Sequence, residues 1–406
     1  MNNKTIWIIN QYAGSPYHGM EYRHYYLAKE MVKLGVEVFI ISGSYSHLYQ
    51  HQPVSHGNYT FEIIDGINYC WIKVPPYKKS VSIGRFKNMG VFMWKLFSLP
   101  SNRFQKPDAI IVSSPSLFPI LNGVKLKKKF NAKLIFEIRD IWPLTLLALG
   151  KISSSHPAIK FLSWFEKYGY RHSDKIVSLL PNCYEHLKKF EVNENKFTCI
   201  PNGIDEMPAM VPTGLNLRDQ FTENFIVGYA GTLGISNAME FFLESARNLF
   251  HEKNNSIVFV LVGDGGEVEN LKRMATGLTN VFFYPRVPKT EIPSILNQFD
   301  ACYIGWHNNG LYRYGISANK IFDYMLSSKP VVHSINSFND PIAESGCGIS
   351  VPAEDTIAIS EAIKKMSLMN ETERSIMGAR GKAFVLKNHS YSNLAKKYLE
   401  LIDELG

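Results

Sequence analysis

The chain has 406 residues, of which 45% are hydrophobic and 20% charged, and its net charge is +8. This length favours two domains, and the composition excludes fibrous, low-complexity and intrinsically disordered proteins. The apolar run near the amino terminus is too short for a signal peptide, and no stretch of about 18 apolar residues predicts a membrane-spanning helix. We therefore expect a cytoplasmic chain of two domains.

The cysteines predict neither disulfides nor a metal site. They are five, an odd number, and no two of them have CxxC spacing. This pattern is typical of small buried side chains in a reducing compartment. The residues are Cys70, Cys183, Cys199, Cys302 and Cys347.

Basic charge is concentrated in the first half of the chain. Residues 1–205 hold 26 Lys/Arg and 14 Asp/Glu, a net of +12, whereas the remainder has a net charge of −4. Between Trp71 and Lys133, 13 basic residues accompany a single acid, Asp108. This imbalance indicates an anionic partner. Nucleic acid is a poor candidate, because no zinc-finger spacing, RNP-like motif or helix-turn-helix accompanies the charge.

The first elements predict a doubly wound parallel sheet. Residues 6–9 form an apolar run typical of a buried strand, residues 22–34 have helical spacing, and residues 36–42 form the next strand. The connection over residues 10–23 is glycine-rich and long for a strand-to-helix turn. Asp65-Gly66 predicts a hairpin turn within residues 60–74.

Residues 77–97 interleave large apolar and basic side chains. Phe86 and Phe92 are predicted on one helical face, flanked by Lys87 and Lys95, as in an interfacial helix whose lysine stems reach lipid phosphates. A core helix with solvated basic edges is the alternative. A second basic run, at residues 125–129, favours an anionic membrane surface. The predicted membrane contacts are Lys78, Lys79, Arg85, Phe86, Lys87, Phe92, Trp94 and Lys95.

An acid and a base follow the strand predicted at residues 133–138. Arg139 and Asp140 lie at its carboxyl end, where open α/β sheets place active sites. Asp140 is therefore a candidate acid that faces a substrate. The alternative is an internal Asp140–Arg139 ion pair that fixes the loop.

Two glycine turns and one helix make up the candidate site of the second half. A strand at residues 225–230 leads into the glycine loop 231–234 and then a helix, an arrangement that can hold a pyrophosphate through backbone amides. A second glycine turn, residues 263–266, follows the strand at 257–262. Lys320 lies in the first turn of a helix predicted from Asn319, a favourable position for a phosphate. Asp323 is placed to accept hydrogen bonds from sugar hydroxyls.

Several of these segments together resemble one enzyme family. The sequences EIRDIWP at 137–143, PNGID at 201–205 and SANKIFDYM at 317–325 resemble motifs of the family 4 glycosyltransferases, which are retaining enzymes of the GT-B fold. The match is nearest the branch that builds bacterial O-antigen and capsule polysaccharides on a lipid carrier. The resemblance implies α/β architecture, with two Rossmann-like doubly wound domains facing each other across a cleft. We expect an acceptor- and membrane-facing domain at 1–205, a donor-binding domain at 206–388 that opens with a hinge at about 206–222, and a final helix at 389–406 that returns to the first domain.

The resemblance also implies roles for individual residues. Asp140 would orient the acceptor hydroxyl, and Lys320 would stabilise the leaving phosphate. Acceptor recognition is implied for Gly14, Gly19, Glu21, Arg23 and Arg139, although the residues of the first loop could be structural only. Donor binding is implied for Gly231, Thr232, Gly234, Gly263, Gly265, Val287, Gly315, Ser317, Asn319 and Asp323.

This chain departs from the family pattern at the donor site. Most relatives have a Glu at the position of Gly315, eight residues before Asp323. Many also have an Arg and a Lys at the positions of Thr232 and Asn237. The phosphate charge must then be met elsewhere, first by Lys320. The weaker candidates are Arg286 and Lys289.

The resemblance implies transfer of a sugar from a UDP-sugar to a polyprenyl-diphosphate-linked saccharide, with an N-acetylated aminosugar as one candidate. We expect a peripheral enzyme on the inner face of the plasma membrane that needs no cofactor. No DxD motif flanked like a metal site occurs, so we also expect no metal dependence. The alternatives are a GT-B nucleotide-sugar 2-epimerase and a non-catalytic nucleotide-sugar-binding protein.

Overall fold

The computed structural model describes residues 4–19, 22–78, 82–148, 153–206 and 210–406. They belong to two compact units, one comprising Met1–Asn202 with Tyr391–Gly406 and the other Gly203–Ser390. The predicted site residues Glu21 and Lys79 lie outside the described residues.

The first unit is built on a mixed sheet. Its described strands are β1 (Thr5–Ile9), β2 (Glu37–Gly43), β3 (Tyr59–Ile64), β4 (Ile67–Ile72), β5 (Ala109–Ser113), β6 (Lys133–Ile138), β7 (Lys175–Ser178) and β8 (Phe197–Cys199). Their order is β3-β4-β2-β1-β5-β6-β7-β8, and all neighbours pair in parallel except β3 and β4. Asp65 and Gly66 turn the β3–β4 hairpin with φ of 48° and 79°, which confirms the predicted turn.

Helices cover this sheet. Those of the first unit are α1 (Tyr22–Lys33), α2 (Ile83–Phe97), α3 (Ile120–Phe130), α4 (Leu144–Ala148), α5 (Pro157–His172), α6 (Tyr184–Leu187) and, from the end of the chain, α15 (Tyr391–Asp403). Strands β1 and β5 are buried along their whole length, as expected for a parallel sheet covered on both faces. The apolar face of α15 packs in one core with residues of α1, β1 and β2.

A buried carboxylate links four elements of the first unit. Glu137 in β6 accepts hydrogen bonds from Arg23 Nε (3.0 Å) and from Tyr398 of α15. It also bonds His24 Nε2 at 2.9 Å and accepts from Ser113 Oγ at 2.7 Å. Burial alone would raise the pKa of Glu137, but the charges of Arg23 and His24 overcome this and hold the pKa well below its usual range. The ionised carboxylate therefore joins β5, β6, α1 and α15.

Arg23 is part of this network, which corrects its predicted role in acceptor recognition. Its side chain is buried, and its Nη2 donates to the carbonyl of Ile200 at 2.8 Å while Nη1 donates to that of Pro201. The neighbouring charges hold its pKa above its ordinary value despite burial. A guanidinium with every nitrogen engaged in the core has a structural function.

The second unit is built on a parallel sheet. Its described strands are β9 (Phe225–Ala230), β10 (Ile257–Val262), β11 (Val281–Tyr284), β12 (Ala301–Gly305), β13 (Val331–Ser334) and β14 (Gly348–Val351). Its helices are α7 (Leu217–Gln220), α8 (Met239–His251), α9 (Val268–Met274), α10 (Ile292–Leu296), α11 (Asn319–Leu326), α12 (Pro341–Ser345), α13 (Thr356–Ser367) and α14 (Glu371–His389). Within the segment predicted as an irregular hinge, α7 is helical, and the buried side chains of Leu217 and Phe221 join the core of this unit.

The strand order locates the carboxyl-end crevice of each sheet. The second sheet runs β11-β10-β9-β12-β13-β14, so its order reverses between β9 and β12. The first sheet reverses between β1 and β5, where Asn10 Nδ2 donates to the carbonyl of Ser114 at 3.2 Å. Ligands of doubly wound sheets bind at this switch point. In the second unit, the strands on the two sides of the switch point are β9, which is followed by Gly231, and β12, which is followed by Trp306.

We predict that Glu137→Ala destabilises the first unit by about 3–5 kcal/mol, because it leaves the Arg23 guanidinium buried without its counter-charge. Urea unfolding followed by tryptophan fluorescence measures this, since Trp7 and Trp71 are buried in this unit. Glu404→Ala is the control, because Glu404 pairs with Lys175 at the surface (3.3 Å) and should leave the midpoint unchanged. Equal midpoints for both variants would contradict a structural role for Glu137.

Candidate functional site: a glycine-lined lysine in the second unit

The two predicted glycine turns of the second unit pack backbone against backbone. Gly231 N donates to the carbonyl of Val262 (2.9 Å), and Leu233 N donates to that of Asp264 (2.9 Å). A Cβ on Gly263 would lie 1.9 Å from the carbonyl oxygen of Gly231, and one on Gly265 would lie 2.1 Å from that of Leu233. Glycine is required at both positions because the opposing backbone occupies the space of a side chain.

Lys320 lies over the first of these turns. Its ammonium donates to Tyr229 OH and to Asn237 Oδ1 (3.2 Å) and lies 4.3 Å from the centre of the Tyr229 ring. A Cβ on Gly231 would come within 2.5 Å of Lys320 Cε, so the missing side chain makes room for the lysine. Tyr324, one turn further along α11, bonds both backbone groups of Ala230 (2.9 and 3.1 Å) and fixes the helix to β9.

The two positions at which the family resemblance leads one to expect cations hold neutral groups that support this lysine. Asn237 is buried, and its Nδ2 donates to the carbonyl of Thr232 at 2.9 Å. Tyr229 OH donates to the same carbonyl at 2.6 Å. Thr232, Asn237 and Tyr229 thus hold one ammonium group in a closed ring of hydrogen bonds.

Burial shifts the pKa values of the two charged residues of α11. It lowers the pKa of Lys320 to about 8, and the charge of Asp323 opposes this shift. It raises the pKa of half-buried Asp323, against the opposing charges of Lys289 and Lys320. Because the pKa of Lys320 is close to neutral pH, a bound anion would stabilise its protonated form.

The remaining predicted donor residues surround the start of α11. Gly315 has φ of +100°, which a residue with a side chain rarely adopts. The next residue, Ile316, is held through both backbone groups by the Asn339 amide (2.8 and 3.1 Å). Ser317 is half-buried and Asn319 is exposed at the first position of the helix. Half-buried Val287 packs against the core of the unit, and both Arg286 and Lys289 are exposed.

A chain of hydrogen bonds through the buried residue His333, here called the histidine relay, lies beside this segment and was not predicted from the sequence. Trp306 Nε1 donates to His333 Nε2 (3.1 Å), so His333 donates through Nδ1 to Asp340 Oδ1 (2.8 Å). Burial would raise the pKa of Asp340, but the hydrogen bond from His333 lowers it to about 2. Trp306 also packs edge-on against Tyr312, with 5.7 Å between ring centres. The signal in the sequence was a histidine that directly follows the two valines of a buried strand.

In the first unit, the predicted acceptor residues lie at the carboxyl edge of the sheet. The carbonyl of Gly14 accepts from Tyr69 OH (2.9 Å), and Gly19 closes a turn with φ of +77°. Arg139 is half-buried; burial lowers its pKa and the charge of Asp140 opposes this. Asp140 is exposed. The charge of Asp140 therefore acts on Arg139, while Asp140 itself remains open to solvent.

The residues of α2 that were predicted to contact a membrane lie on two different faces of the helix, one buried and one exposed. Phe92 is 0% exposed and packs inward with Met89 and Leu96, so its predicted membrane contact is wrong. Arg85 Nε donates to Tyr12 OH (3.2 Å), and the Lys95 ammonium is engaged by Asn58 Oδ1 (2.9 Å) and the carbonyl of Lys73 (2.8 Å). We define the α2 stripe as the outward-facing residues Ile83, Phe86, Lys87, Trp94 and Phe97.

Phe86 and Trp94 in the α2 stripe are 48% and 73% exposed. Lys78 is exposed ahead of the helix. No helix among the described residues is long and apolar enough to span a bilayer. The described residues also contain no cluster of three or more His, Cys, Asp or Glu that could hold a metal ion.

Two family models match this chain. Residues 17–207 match "Glycosyltransferase Family 4", and residues 224–368 match "Glycosyl transferases group 1". Curated relatives carry related names. "Putative colanic acid biosynthesis glycosyl transferase WcaI" of Escherichia coli is 25% identical over 58% of this chain and 59% of its own length. "Probable glycosyltransferase WbjE" of Pseudomonas aeruginosa is 21% identical over 75% of this chain and 77% of its own.

Solved structures share the fold of the whole chain. Sucrose-phosphate synthase of Thermosynechococcus elongatus aligns with a TM-score of 0.73 at 14% identity, covering 99% of both chains. HepE of Anabaena in complex with UDP and glucose aligns with a TM-score of 0.67 at 14% identity, covering 99% of this chain and 100% of its own. The catalytic domain of starch synthase IV of Arabidopsis thaliana, bound to ADP and acarbose, gives 0.71 at 14% identity over 100% and 99%. The expected GT-B fold is thereby confirmed.

We predict that Gly265→Ala destabilises the second unit by about 1–3 kcal/mol, because the new methyl group meets the Leu233 backbone and forces the two turns apart. The neighbouring substitution Gly266→Ala is the matched control, since a Cβ there has no atom within 4 Å. Urea unfolding followed through Trp306 measures both. The packing of the turns would be refuted by equal midpoints.

Proposed function

The chain is a glycosyltransferase of the GT-B fold, and from that premise we propose that it transfers a sugar from a UDP-sugar to a lipid-linked saccharide with retention at the anomeric carbon. The product would be an intermediate of a bacterial surface polysaccharide. The observation that carries this proposal is the ammonium of Lys320, held over the glycine turn at Gly231 by Tyr229 and Asn237.

The lysine and the turn suit a diphosphate. The amides of Gly231 and Leu233 hold the two turns together. The amides of Thr232 and Gly234, with those of the first residues of α11, would therefore be the donors for phosphate oxygens, and Lys320 would provide one positive charge. In the reaction the anomeric carbon–oxygen bond to the phosphate breaks, and negative charge grows on the leaving diphosphate. A fixed cation and fixed amides stabilise that charge without reorganisation. Metal-independent transfer follows if Lys320 supplies this charge compensation.

The other groups would complete the reaction. The acceptor hydroxyl oxygen bonds to the anomeric carbon on the face that the phosphate leaves, and its proton passes to the departing phosphate oxygen. Asp140 would orient that hydroxyl, and Asp323 would accept hydrogen bonds from the ribose. The relay of Trp306, His333 and Asp340 would fix the loop that precedes α11, and with it the pocket for the donor sugar.

A membrane location follows from the proposed acceptor. The apolar and basic α2 stripe, together with the exposed lysines of α3, fits the interfacial region of an anionic bilayer. The name of the relative WcaI, which refers to colanic acid biosynthesis, also supports a role in polysaccharide synthesis. We therefore propose a peripheral protein on the inner face of the plasma membrane.

We predict that Lys320→Ala lowers UDP release in the presence of UDP-sugar and lipid-linked acceptor by about 100-fold or more, the scale expected for one preorganised charged group. Lys365→Ala is the matched control and should retain most activity, because Lys365 is an exposed lysine of α13 in the same unit and has no proposed role at the donor site. A coupled UDP assay measures both variants. Conversion of the UDP-sugar to an epimer without acceptor would favour the epimerase instead. The absence of UDP release with every acceptor would reject the transferase.

We predict that UDP affinity falls as pH rises above about 8, because Lys320 loses its proton there. Bound diphosphate favours the charged amine, so the dissociation constant should rise by up to about tenfold per pH unit. Lys320→Arg, which stays protonated, should flatten the profile. Calorimetric titration between about pH 7 and pH 9 measures both proteins. Identical slopes for wild type and Lys320→Arg would exclude Lys320 as the titrating group.

A further inference from the structure

A small pocket lies in the first unit between the end of α2, the turn Ser101–Arg103 and α3. Its volume is about 70 Å³, and its walls combine leucines of both helices with Phe97, Asn122, Lys125 and Lys129. Pockets that enclose a whole drug-sized ligand measure about 300–1,000 Å³. This one has room only for a small polar part of a larger molecule.

Asn122 gives the pocket its chemistry. The residue is 1% exposed, and among the described residues neither its Oδ1 nor its Nδ2 has a hydrogen-bond partner. Buried amides in native proteins are normally bonded, because an unpaired polar group loses its hydration without compensation. An unpaired donor and an unpaired acceptor on one pocket residue indicate a ligand that offers both.

Positive charge rims the same pocket. Asn122, Lys125 and Lys129 follow one face of α3 with spacings of three and four residues. The Lys125 ammonium lies 5.2 Å from the centre of the Phe97 ring, and that of Lys129 donates to Ser101 Oγ (2.6 Å). Phe97 is also the last residue of the α2 stripe. The pocket therefore adjoins the surface proposed above to meet the membrane.

We propose that this pocket binds the phosphate of an anionic lipid headgroup that carries a hydroxyl, as in phosphatidylglycerol, and so fixes the protein on the bilayer. Asn122 Nδ2 donates to a phosphate oxygen, Asn122 Oδ1 accepts from the headgroup hydroxyl, and Lys125 and Lys129 offset the phosphate charge. The α2 stripe lies alongside in the interfacial region. This inference rests on the membrane location proposed above, but not on the sugar-transfer chemistry.

Co-sedimentation with vesicles tests the proposal. The wild-type protein should bind vesicles of phosphatidylcholine with phosphatidylglycerol and should bind phosphatidylcholine alone far more weakly. Asn122→Leu changes no charge, yet it should weaken binding to the anionic vesicles about tenfold, because hydrogen bonds to a charged group are lost. Wild-type affinity in a folded Asn122→Leu protein would overturn the proposal.

A second comparison is independent of how well the Asn122 variant folds. The double variant Lys125→Ala/Lys129→Ala removes two charges at the pocket, and Lys106→Ala/Lys128→Ala removes two exposed charges outside it. Unspecific attraction predicts the same loss, about fivefold per lysine, for both pairs. The pocket predicts a larger loss for the first pair, and equal losses would refute it.

Two controls complete the test. The first distinguishes a lipid phosphate from free phosphate, and the second distinguishes the pocket from the donor site. Inorganic phosphate should not raise the melting temperature of the wild type at concentrations that leave vesicle binding intact; stabilisation by free phosphate without vesicle binding would overturn the lipid assignment. UDP should stabilise the Asn122 and lysine variants as it does the wild type. If the Asn122 and lysine variants lose vesicle binding but keep UDP binding, the pocket proposal is supported. If the wild-type protein does not bind UDP, the donor-site proposal fails while the pocket proposal stands.

Discussion

The position of one ammonium group constrains the second unit. Lys320 reaches over Gly231 only because that residue has no side chain. Tyr229, two residues earlier at the end of β9, bonds the same ammonium. Tyr324 ties α11 to the end of this strand through the backbone of Ala230. The glycine turn, the tyrosine and the helix are therefore one arrangement, since a change in any of them moves the charge.

The neutral residues at the turn follow from this arrangement. A cation at the position of Asn237 would stand beside the ammonium of Lys320, and burial already lowers the pKa of that group to about 8. Like charges at such a distance would depress the pKa further and discharge the lysine. An amide instead accepts from the ammonium and donates to the carbonyl of Thr232. A site with one half-buried cation requires neutral neighbours.

The sequence predicted those parts of the structure that depend on local pattern. The strands, the two glycine turns and the place of Lys320 in a first helical turn all follow from periodicity and glycine spacing. The network around Glu137 could not be predicted this way, because Arg23 and Tyr398 lie 114 and 261 residues from it in the chain. An arginine at the start of a helix after a glycine-rich loop has the pattern of a ligand contact. Only the tertiary structure reveals its buried partner.

The error at α2 has a different origin. Phe86 and Phe92 are six residues apart, which at 3.6 residues per turn places them about 120° apart around the helix and so on different faces. The pattern therefore contained two faces, a buried one with Phe92 and an exposed one with Phe86 and Trp94. The basic residues could not decide between them, because long side chains reach around a helix; those of Arg85 and Lys95 bond to inward groups. Only the burial of each side chain in the structure shows which face of α2 packs inward.

The charge distribution indicates that the two proposed binding events depend on forces of different range. The first half of the chain has a net charge of +12, spread over exposed lysines that attract an anionic surface within about 10 Å of screening length. The second half has a net charge of −4, which opposes the approach of a nucleotide diphosphate. Donor binding must therefore depend on short-range contacts, from backbone amides and a half-buried lysine that salt screens weakly. Long-range attraction would bring the protein to a membrane, and local geometry would select the donor.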